Sequence, residues 1–299
     1  MNPIHLKTEL PDAQVDALEK TFLDSSAFDG DSIAEDVVAY KPNGEVLFKL
    51  IRNVIPMSAC KKAWNALRTV SSDASHRIVA SGGATQGENG VSETVGYLDR
   101  SGRHGLHYCR LTSWSMNNAK RFAEAIPFFR AADRVFAHHM PERHKAQMAK
   151  VRATDPAFIV HGTAFTTVTV NKNFQTAVHK DSGDLKEGFG VIACLRAGEF
   201  TGGEMVFPKY RVAVKFDTQD VLLCDVHEWH GNTRIVGTEG MFERISCVLY
   251  YRTGMTQCLS PDKELKRLQN RKVIVVNGHR RGITQEETSE GEADAKPSL

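Results

Sequence analysis

The rhythm of hydrophobic and polar positions changes at about Ala157, which separates a mainly helical first half from a mainly β second half. Before this point, apolar residues recur at helical spacing over three stretches: Asp12 to Leu23, Ser58 (as N-cap) to Val70, and Ser113 to His139. The segment KPNGEVLFKLIRNVIP instead predicts two strands around a Pro-Asn-Gly turn. A Gly- and Ser-rich stretch from about Ser81 to Gly105 predicts a loop.

After Ala157, short runs rich in β-branched and aromatic residues alternate with turn signals. The run Thr163 to Asn171 alternates β-branched and aromatic residues, and it is followed by GFGVIACLR, EMVFP, VAVKF, DVLLCDV and RISCVLYYR. Turns are marked by Gly202-Gly203 and by Asp217 to Asp220. Successive short strands of this kind predict an α+β protein with a jelly-roll core, on whose outer face the N-terminal helices pack.

These patterns divide the chain into four predicted segments. Residues 1–90 form an N-terminal helical and hairpin extension, and residues 91–255 form the jelly-roll domain with its strand core at 157–252. Residues 256–283 form a basic C-terminal extension. Residues 284–299 are acidic and lack large apolar side chains, so this tail is predicted to be disordered.

Composition limits the class of protein. The formal net charge is +2, and because acids are concentrated in the tail, the rest of the chain is mildly basic. No apolar run approaches the roughly 18 residues of a membrane helix, and the N-terminus does not resemble a signal peptide. We therefore expect an intracellular protein with no membrane partner.

The six cysteines do not form a zinc pattern, because none lies in a C-x-x-C pair. Three of them, Cys194, Cys224 and Cys247, lie in apolar, strand-like runs, as buried free thiols do. In a chain of 299 residues, this usage argues against a disulfide framework.

A metal site is indicated by His179-Lys180-Asp181, because residues two apart in an extended segment point to the same side. The segment DVHEWHGN supplies a third ligand, His230. Two imidazoles and one carboxylate on one side of an ion form the facial triad of Fe(II) oxygenases, and zinc binds the same ligand types. The alternatives are a solvated loop pair at His179 and Asp181, and His227 as the distal ligand. We favour His230, because the following Gly-Asn turn lets its imidazole face inward.

An anchor for an anionic co-substrate is indicated by Arg244 and Ser246, which share one face at the start of RISCVLYYR. Arginine offers a permanently charged, bidentate partner for a carboxylate. The alternative is a surface ion pair of Arg244 with Glu239 or Glu243. Two asparagines upstream of the His-x-Asp motif are either further donors or turn residues: Asn171 and Asn173.

The segments NKNFQTAVHKDSGD, F-x-G-G-E (Phe200 to Glu204), D-V-x-x-W-H-G-N and R-I-S together resemble the double-stranded β-helix of Fe(II)/2-oxoglutarate dioxygenases. Within that superfamily, the chain looks most like the TET/JBP branch, which oxidises methyl groups of DNA bases. Asp184, at the end of an H-x-D-x-x-D pattern, and the segment Ser92 to Arg100 are similar to that branch. The resemblance covers about Ser92 to Arg252.

The resemblance implies Fe(II) bound by His179, Asp181 and His230, with 2-oxoglutarate anchored by Arg244 and O2 as co-substrate. Ascorbate is the alternative co-substrate that the family suggests. The implied reaction is oxidation of 5-methylcytosine in DNA to 5-hydroxymethylcytosine and further. The alternatives are hydroxylation of thymine, of a protein side chain or of a small molecule, and a non-catalytic binder of modified DNA.

The implied partner is methylated duplex DNA whose target base is flipped out of the stack. Two basic segments are candidate phosphate contacts, Arg130 to Arg152 and Lys263 to Arg281, although each also fits a solvated helix face. The stretch from Gly82 to Arg103 either covers the substrate or is an idle loop. The expected location is the nucleus for a eukaryotic protein, or the host cytoplasm for a phage-encoded one.

Overall fold

The computed structural model describes residues 1–71, 90–100 and 107–270, together with the backbone of two strands at 272–276 and 279–283. The helices among these residues are α1 (Asp12–Asp16), α2 (Met57–Leu67), α3 (Ser113–Asn117), α4 (Ala119–His139), α5 (Pro141–Ala153) and α6 (Pro261–Gln269). No helix in this described part is long and apolar enough to cross a bilayer.

The strands among the described residues are mostly short, and they lie before, between and after the helices along the chain. The first five are β1 (Asn2–His5), β2 (Val37–Tyr40), β3 (Val46–Ile51), β4 (Val91–Leu98) and β5 (Arg110–Leu111). The next nine are β6 (Thr167–Lys172), β7 (Gly190–Ala197), β8 (Phe200–Thr201), β9 (Met205–Phe207), β10 (Val212–Val214), β11 (Val221–Cys224), β12 (Gly231–Asn232), β13 (Val236–Gly237) and β14 (Glu243–Tyr250). A hairpin of β15 (Lys272–Val276) and β16 (His279–Ile283) comes last.

One large sheet has the strand order β1-β2-β3-β11-β7-β14-β6-β4-β5, and a small sheet has the order β10-β9-β12. All pairs in the large sheet are antiparallel except β1 with β2. Phe48 of β3 stacks on Phe207 of β9 with ring centroids 5.6 Å apart, within a shared buried core. The small sheet therefore packs against the large one, as the two layers of a jelly roll do.

The two faces of the large sheet have different partners because side chains alternate along each strand. Val168, Val170 and Cys247 point to one face, where they share a core with the phenylalanines of α4 and the alanines of α2. Asn171 and Ser246, one position along, point to the other face and line a cavity. The helices thus cover the outer face, as predicted, and leave the inner face for a site.

The N-terminal helix is shorter than predicted, because the chain leaves α1 after Asp16. Lys20 adopts a left-handed φ of 63°, and its backbone N–H donates to the carbonyl of Val178 at 2.8 Å. The N–H of Val178 in turn donates to Thr21 at 2.8 Å. Tertiary pairing with the His-x-Asp segment therefore outweighs the helical pattern of this stretch.

Three further boundaries differ from the predictions. Helix α2 begins after Pro56, so Ser58 lies inside the helix and is not its cap. The long helical stretch breaks at Asn118, whose side chain donates to the carbonyl of Trp114 at 3.0 Å. The predicted Gly- and Ser-rich loop contains β4, which pairs along its length with β6. The rest of that loop, residues 81–89 and 101–105, lies outside the described residues, as does the tail 284–299.

Four cysteines are buried free thiols, including the three predicted ones, while Cys109 and Cys258 form a disulfide. The two partners are 149 residues apart in sequence, and their Cα atoms lie 5.7 Å apart. The sequence argues against a disulfide framework, and it does not predict this single pair. The spacing of the cysteines carries no sign of it, because only the fold brings the segment before β5 beside the segment after β14.

Candidate active site

The predicted ligands lie on two segments whose backbones pair. His179 and His230 face each other in an antiparallel bridge, in which each N–H donates to the carbonyl of the other at 2.9 and 3.0 Å. Two residues on, the N–H of Asp181 donates to the carbonyl of Val226 at 2.9 Å. The bridge holds the two histidines side by side, with ring centroids 4.3 Å apart, and Asp181 lies on the same side.

The side chains of these residues converge at their tips. His179 Nε2 lies 3.3 Å from Asp181 Oδ1, and His230 Nε2 lies 3.9 Å from Asp181 Oδ2. One ligand atom of each residue falls within 4.8 Å of the others. Bonds of about 2.0–2.2 Å to a divalent ion place neighbouring ligand atoms roughly 3 Å apart, so this cluster fits one ion after small side-chain adjustments. The structure thus brings together all three predicted ligands.

The tautomer of each histidine is set by the backbone. Nδ1 of His179 lies 2.9 Å from the carbonyl of Ala177, and Nδ1 of His230 lies 2.9 Å from the carbonyl of Glu228. Because a carbonyl can only accept, each Nδ1 carries the proton and donates it. The lone pair of each ring is therefore on Nε2, the atom directed at the cluster, as in histidines that bind metals.

His230 is buried, with 4% of its surface exposed. Burial and the neighbouring His179 lower the pKa of His230 to about 4. Its imidazole is thus neutral at pH 7, which is the form that binds a metal. His227, the alternative distal ligand, points elsewhere, because its Nδ1 lies 3.5 Å from Asp225 Oδ1.

A cavity of about 1230 Å³ opens beside the cluster. Ligand cavities ordinarily measure about 300–1,000 Å³, so this one has room for two small ligands together. Its lining joins the inner face of the large sheet to the His-x-Asp segment and the loop before β12. The polar lining residues include Ser92, Thr169, Asn171, Asp184, Arg244, Ser246 and Arg252.

Arg244 is the buried cation of this cavity, with 5% of its surface exposed. Its backbone is fixed by Asn173, whose Oδ1 accepts from the Arg244 N–H at 2.7 Å. The guanidinium lies over the ring of Phe216 at 5.5 Å. Within the described part of the chain, no acidic side chain is within ion-pairing distance of Arg244, and Glu243 pairs with Arg68 instead at 3.6 Å. A buried guanidinium without a carboxylate partner favours an anionic ligand.

Ser246 and Asn171 face each other across β14 and β6 and line the same cavity. Asn171 Oδ1 is buried and has no hydrogen-bond partner among the residues that the structure describes, so a ligand in the cavity is the natural source of one. Asn173, by contrast, adopts a left-handed φ of 47° and bonds the backbone of Arg244. Of the two roles that the sequence left open, Asn171 therefore fits that of a polar group in the cavity, and Asn173 fits that of a turn residue.

Gly203 is a site residue that the sequence analysis places in a turn and in the F-x-G-G-E motif, without a role in the site. It adopts a φ of +80°, and a Cβ at this position would lie 2.9 Å from Arg244 Nε. Any side chain here would therefore push the guanidinium from its place. The doubled glycine in Phe200 to Glu204 was the available signal, because the first glycine already accounts for the turn.

The Tet_JBP family, the oxygenase domain of the 2OGFeDO superfamily, matches residues 93–253, which is more than half of the chain. The chain belongs to this family. The predicted resemblance to TET/JBP oxygenases is therefore confirmed, as is the dioxygenase class. Membership of this superfamily implies Fe(II), 2-oxoglutarate and O2, and the His-Asp-His cluster provides the corresponding ligand set.

Several curated proteins are similar to this Tet_JBP chain. The bifunctional helicase and thymine dioxygenase JBP2 of Leishmania tarentolae is 30% identical over 264 residues, which cover 87% of this chain and 23% of that protein. The thymine dioxygenase JBP1 of Trypanosoma brucei brucei is 32% identical over 231 residues, covering 77% of this chain and 27% of that protein. The chain thus spans about a quarter of the length of these relatives.

Among solved structures, NgTET1 in complex with 5mC DNA superposes with a TM-score of 0.52 at 12% identity. The match covers 87% of this chain and 99% of that one. At this identity the similarity shows the fold alone. It confirms the predicted α+β architecture with a jelly-roll core.

Proposed function

We propose that this Tet_JBP chain oxidises the 5-methyl group of a pyrimidine base in DNA, with Fe(II), 2-oxoglutarate and O2. The observation that carries the proposal is the convergence of three ligand atoms within 4.8 Å, beside a buried arginine in the same cavity. Among the described residues, this arginine has no carboxylate partner. A metal triad alone would fit many activities. The added anion site points to an oxo-acid co-substrate.

In this proposal, His179, Asp181 and His230 hold the iron. Two imidazoles and one carboxylate would bind one side of the ion and would leave its other positions for exogenous ligands. When bound, iron supplies the redox chemistry that couples decarboxylation of 2-oxoglutarate to oxidation of a C–H bond. The backbone carbonyls of Ala177 and Glu228 fix both rings, so little reorganisation accompanies metal binding.

Arg244 and Ser246 are proposed to bind the distal carboxylate of 2-oxoglutarate. They project from the same face of β14, two residues apart, and both line the cavity beside the metal cluster. The guanidinium offers a pair of parallel N–H donors, and the hydroxyl adds a third donor to the same carboxylate. The burial of Arg244 strengthens this interaction, because water screens it little.

A methylated pyrimidine is the substrate that the comparisons favour. The curated relatives are named thymine dioxygenases, and the structural relative is named as a complex with 5mC DNA. Both bases carry a methyl group at C5, and they differ at the exocyclic group on C4. The relatives with the higher identity favour thymine, while oxidation of 5-methylcytosine stays a prediction.

The cavity rim has groups suited to nucleic acid. The ammonium of Lys180 lies 4.7 Å from the ring centroid of Trp229, and both residues line the cavity. Cations contact phosphates and aromatic rings stack on bases, so this pair supports DNA binding at the mouth of the site. The predicted segment Arg130 to Arg152 begins on α4, which packs against the opposite face of the sheet. That part of the segment therefore does not border the cavity.

Mass spectrometry of nucleosides tests the proposal. The protein is incubated with Fe(II), 2-oxoglutarate and either of two duplexes, one unmodified and one carrying 5-methylcytosine. We expect 5-hydroxymethyluracil from thymine or 5-hydroxymethylcytosine from 5-methylcytosine, and no product with Asp181→Ala. The DNA-base assignment would be overturned if neither product formed at stoichiometric enzyme while a peptide or small molecule supported the release of succinate. The oxygenase assignment would still stand in that case.

A further inference from the structure

Lys41 is a buried cation outside the catalytic cavity. It lies in the turn between β2 and β3, with 9% of its side chain exposed. Its ammonium contacts three carboxylates: Glu45 at 2.9 Å, Asp225 at 3.0 Å and Glu228 at 3.4 Å. Burial alone would lower the pKa of Lys41, but the bonds to Glu45 and Asp225 outweigh it and raise this pKa. The side chain therefore stays charged at neutral pH.

Two of these carboxylates belong to the loop that leads from β11 to His230. Asp225 begins the loop, and its N–H donates to the carbonyl of Leu47 in β3 at 2.8 Å. Asp225 Oδ1 accepts from the N–H of His227 at 3.1 Å, which shapes the turn that follows. The loop is therefore attached to the β2–β3 hairpin by one backbone hydrogen bond and by the ion pairs of Lys41.

Glu228 connects Lys41 to the metal ligand itself. Its carboxylate accepts from Lys41, and its backbone carbonyl accepts from Nδ1 of His230 at 2.9 Å. This second bond sets the tautomer and the orientation of the imidazole. A shift of the Glu228 backbone would therefore turn His230 Nε2 away from His179 and Asp181.

The hairpin that supplies Lys41 lies outside the family match at residues 93–253. The same hairpin carries a second lysine, Lys49, whose ammonium donates to the carbonyl of His139 at the end of α4 at 2.8 Å. Lys49 thus joins the hairpin to the helices, while Lys41 joins it to the metal loop. The two lysines provide a matched pair on one element.

We propose that Lys41 is a positioning residue for the metal centre, holding the 225–228 loop so that His230 presents Nε2 to the ion. The inference rests on the metal site of the proposed function. It assigns a role to the N-terminal segment that the oxygenase family match does not include. Lys41 acts through Glu228 and Asp225 and touches no reacting group.

Metal titration separates positioning from a simple effect of charge. Replacing Lys41 by methionine removes a positive charge near the site, and electrostatics alone would make a divalent cation bind more tightly. Loss of the ion pairs of Lys41 would make the divalent cation bind more weakly, because two carboxylates in the loop lose their partner and the loop rearranges. The sign of the change therefore identifies the cause.

The experiment is a titration of the full chain with Mn(II), followed by electron paramagnetic resonance of the free ion. We expect Lys41→Met to weaken Mn(II) binding by about tenfold, as loss of the groups that orient metal ligands commonly does. Lys49→Met should bind Mn(II) as the parent does. Hydrogen exchange should show faster exchange of the amides in 225–230 for Lys41→Met only.

A second variant guards against misfolding. Glu228→Gln keeps the backbone carbonyl that orients His230 and removes the ionic contact with Lys41. Because loss of a carboxylate charge by itself weakens binding of a cation, the informative readout for this variant is hydrogen exchange. We expect faster exchange of the amides in 225–230 with the melting temperature nearly unchanged. Unchanged or tighter binding in folded Lys41→Met, with unchanged exchange in the loop, would overturn the positioning role. The metal site is tested separately by His230→Ala, and unchanged binding there would overturn the proposed function instead.

Discussion

At the scale of single residues, the site combines groups that the sequence identifies with groups that only the fold reveals. His179, Asp181 and His230 stand out because their spacing and flanking turns fit ligands. The sequence leaves Asn171 as either a donor or a turn residue, and only the fold shows that its buried oxygen faces the cavity. The close approach of Gly203 to Arg244 likewise depends on residues that are distant in sequence. Ligand types are thus visible in the sequence, while the side chains that hold them in place are not.

Arg244→Gln is expected to weaken the use of 2-oxoglutarate. The change removes the buried charge that we assign to the distal carboxylate, so the KM for 2-oxoglutarate should rise by about tenfold or more, equivalent to roughly 1.5–3 kcal/mol. Steady-state kinetics with varied 2-oxoglutarate measures this. The control is Arg196→Gln, at the position paired with Arg244 in β7, whose side chain bonds Asp217 at 2.9 Å. An unchanged KM in Arg244→Gln would contradict the anchor assignment.

Gly203→Ala should impair the same step through crowding. The new Cβ would lie 2.9 Å from Arg244 Nε, and the residue would keep a φ of +80°. We expect a higher KM for 2-oxoglutarate, besides a loss of stability of about 1–2 kcal/mol from the strained backbone.

Gly240→Ala is the matched control for this change. Gly240 has a φ of +73° and no atom near its missing Cβ, so the substitution carries backbone strain without crowding Arg244. Both variants should lose stability in urea unfolding, and only Gly203→Ala should change the KM. Equal KM values in the two variants would show that Gly203 serves the turn alone.

At the scale of elements, tertiary pairing decides where sequence patterns fail. The stretch after Asp16 has helical spacing, but the backbones of Lys20 and Thr21 pair with Val178 instead of continuing the helix. The sequence does not predict β4, because the strand lies in a Gly- and Ser-rich stretch. One of its faces carries polar Ser92, which lines the cavity, while Val95 lies in the core. By contrast, β6, β7 and β14 are buried over most of their length, and the sequence predicts them within a few residues.

Helix α6 is held by one buried carboxylate, Glu264, with 2% of its surface exposed. It accepts from Arg100 Nη2 at 2.7 Å and from the N–H groups of Leu259 and Cys109 at 2.8 and 2.9 Å. Glu264→Gln should reduce the free energy of unfolding by about 2–3 kcal/mol, because Arg100 loses its partner. Unfolding in urea at pH 7 measures this change, and an unaltered midpoint would contradict it.

The same contact predicts a dependence on pH. Burial alone would raise the pKa of Glu264, but the bonds from Arg100 and the two N–H groups outweigh it and lower this pKa below the ordinary value of 4.5. The unfolded chain therefore takes up the proton first as pH falls. The contribution of Glu264 is present above pH 4.5 and is lost at lower pH, so the difference between Glu264→Gln and the parent should shrink on acidification.

At the scale of the whole molecule, the N-terminal segment is built into the oxygenase fold. Strand β3 pairs with β11, and Phe48 belongs to the core between the two sheets. The division at residues 90 and 255 stays a prediction about domains, and the structure gives a reason to test it. A fragment spanning 90–270 should fail to unfold cooperatively, because β11 becomes an open edge and that core loses one side. A cooperative melt at the parent temperature would contradict this.

The proposed function requires that His179, Asp181 and His230 bind one metal ion. A crystal structure of the full chain grown with Mn(II) tests this directly. Anomalous scattering locates the ion without reference to any assumed ligand. We expect a single strong peak bonded to Nε2 of His179, a carboxylate oxygen of Asp181 and Nε2 of His230. A peak bonded to His227 instead, or none among these three residues, would contradict it.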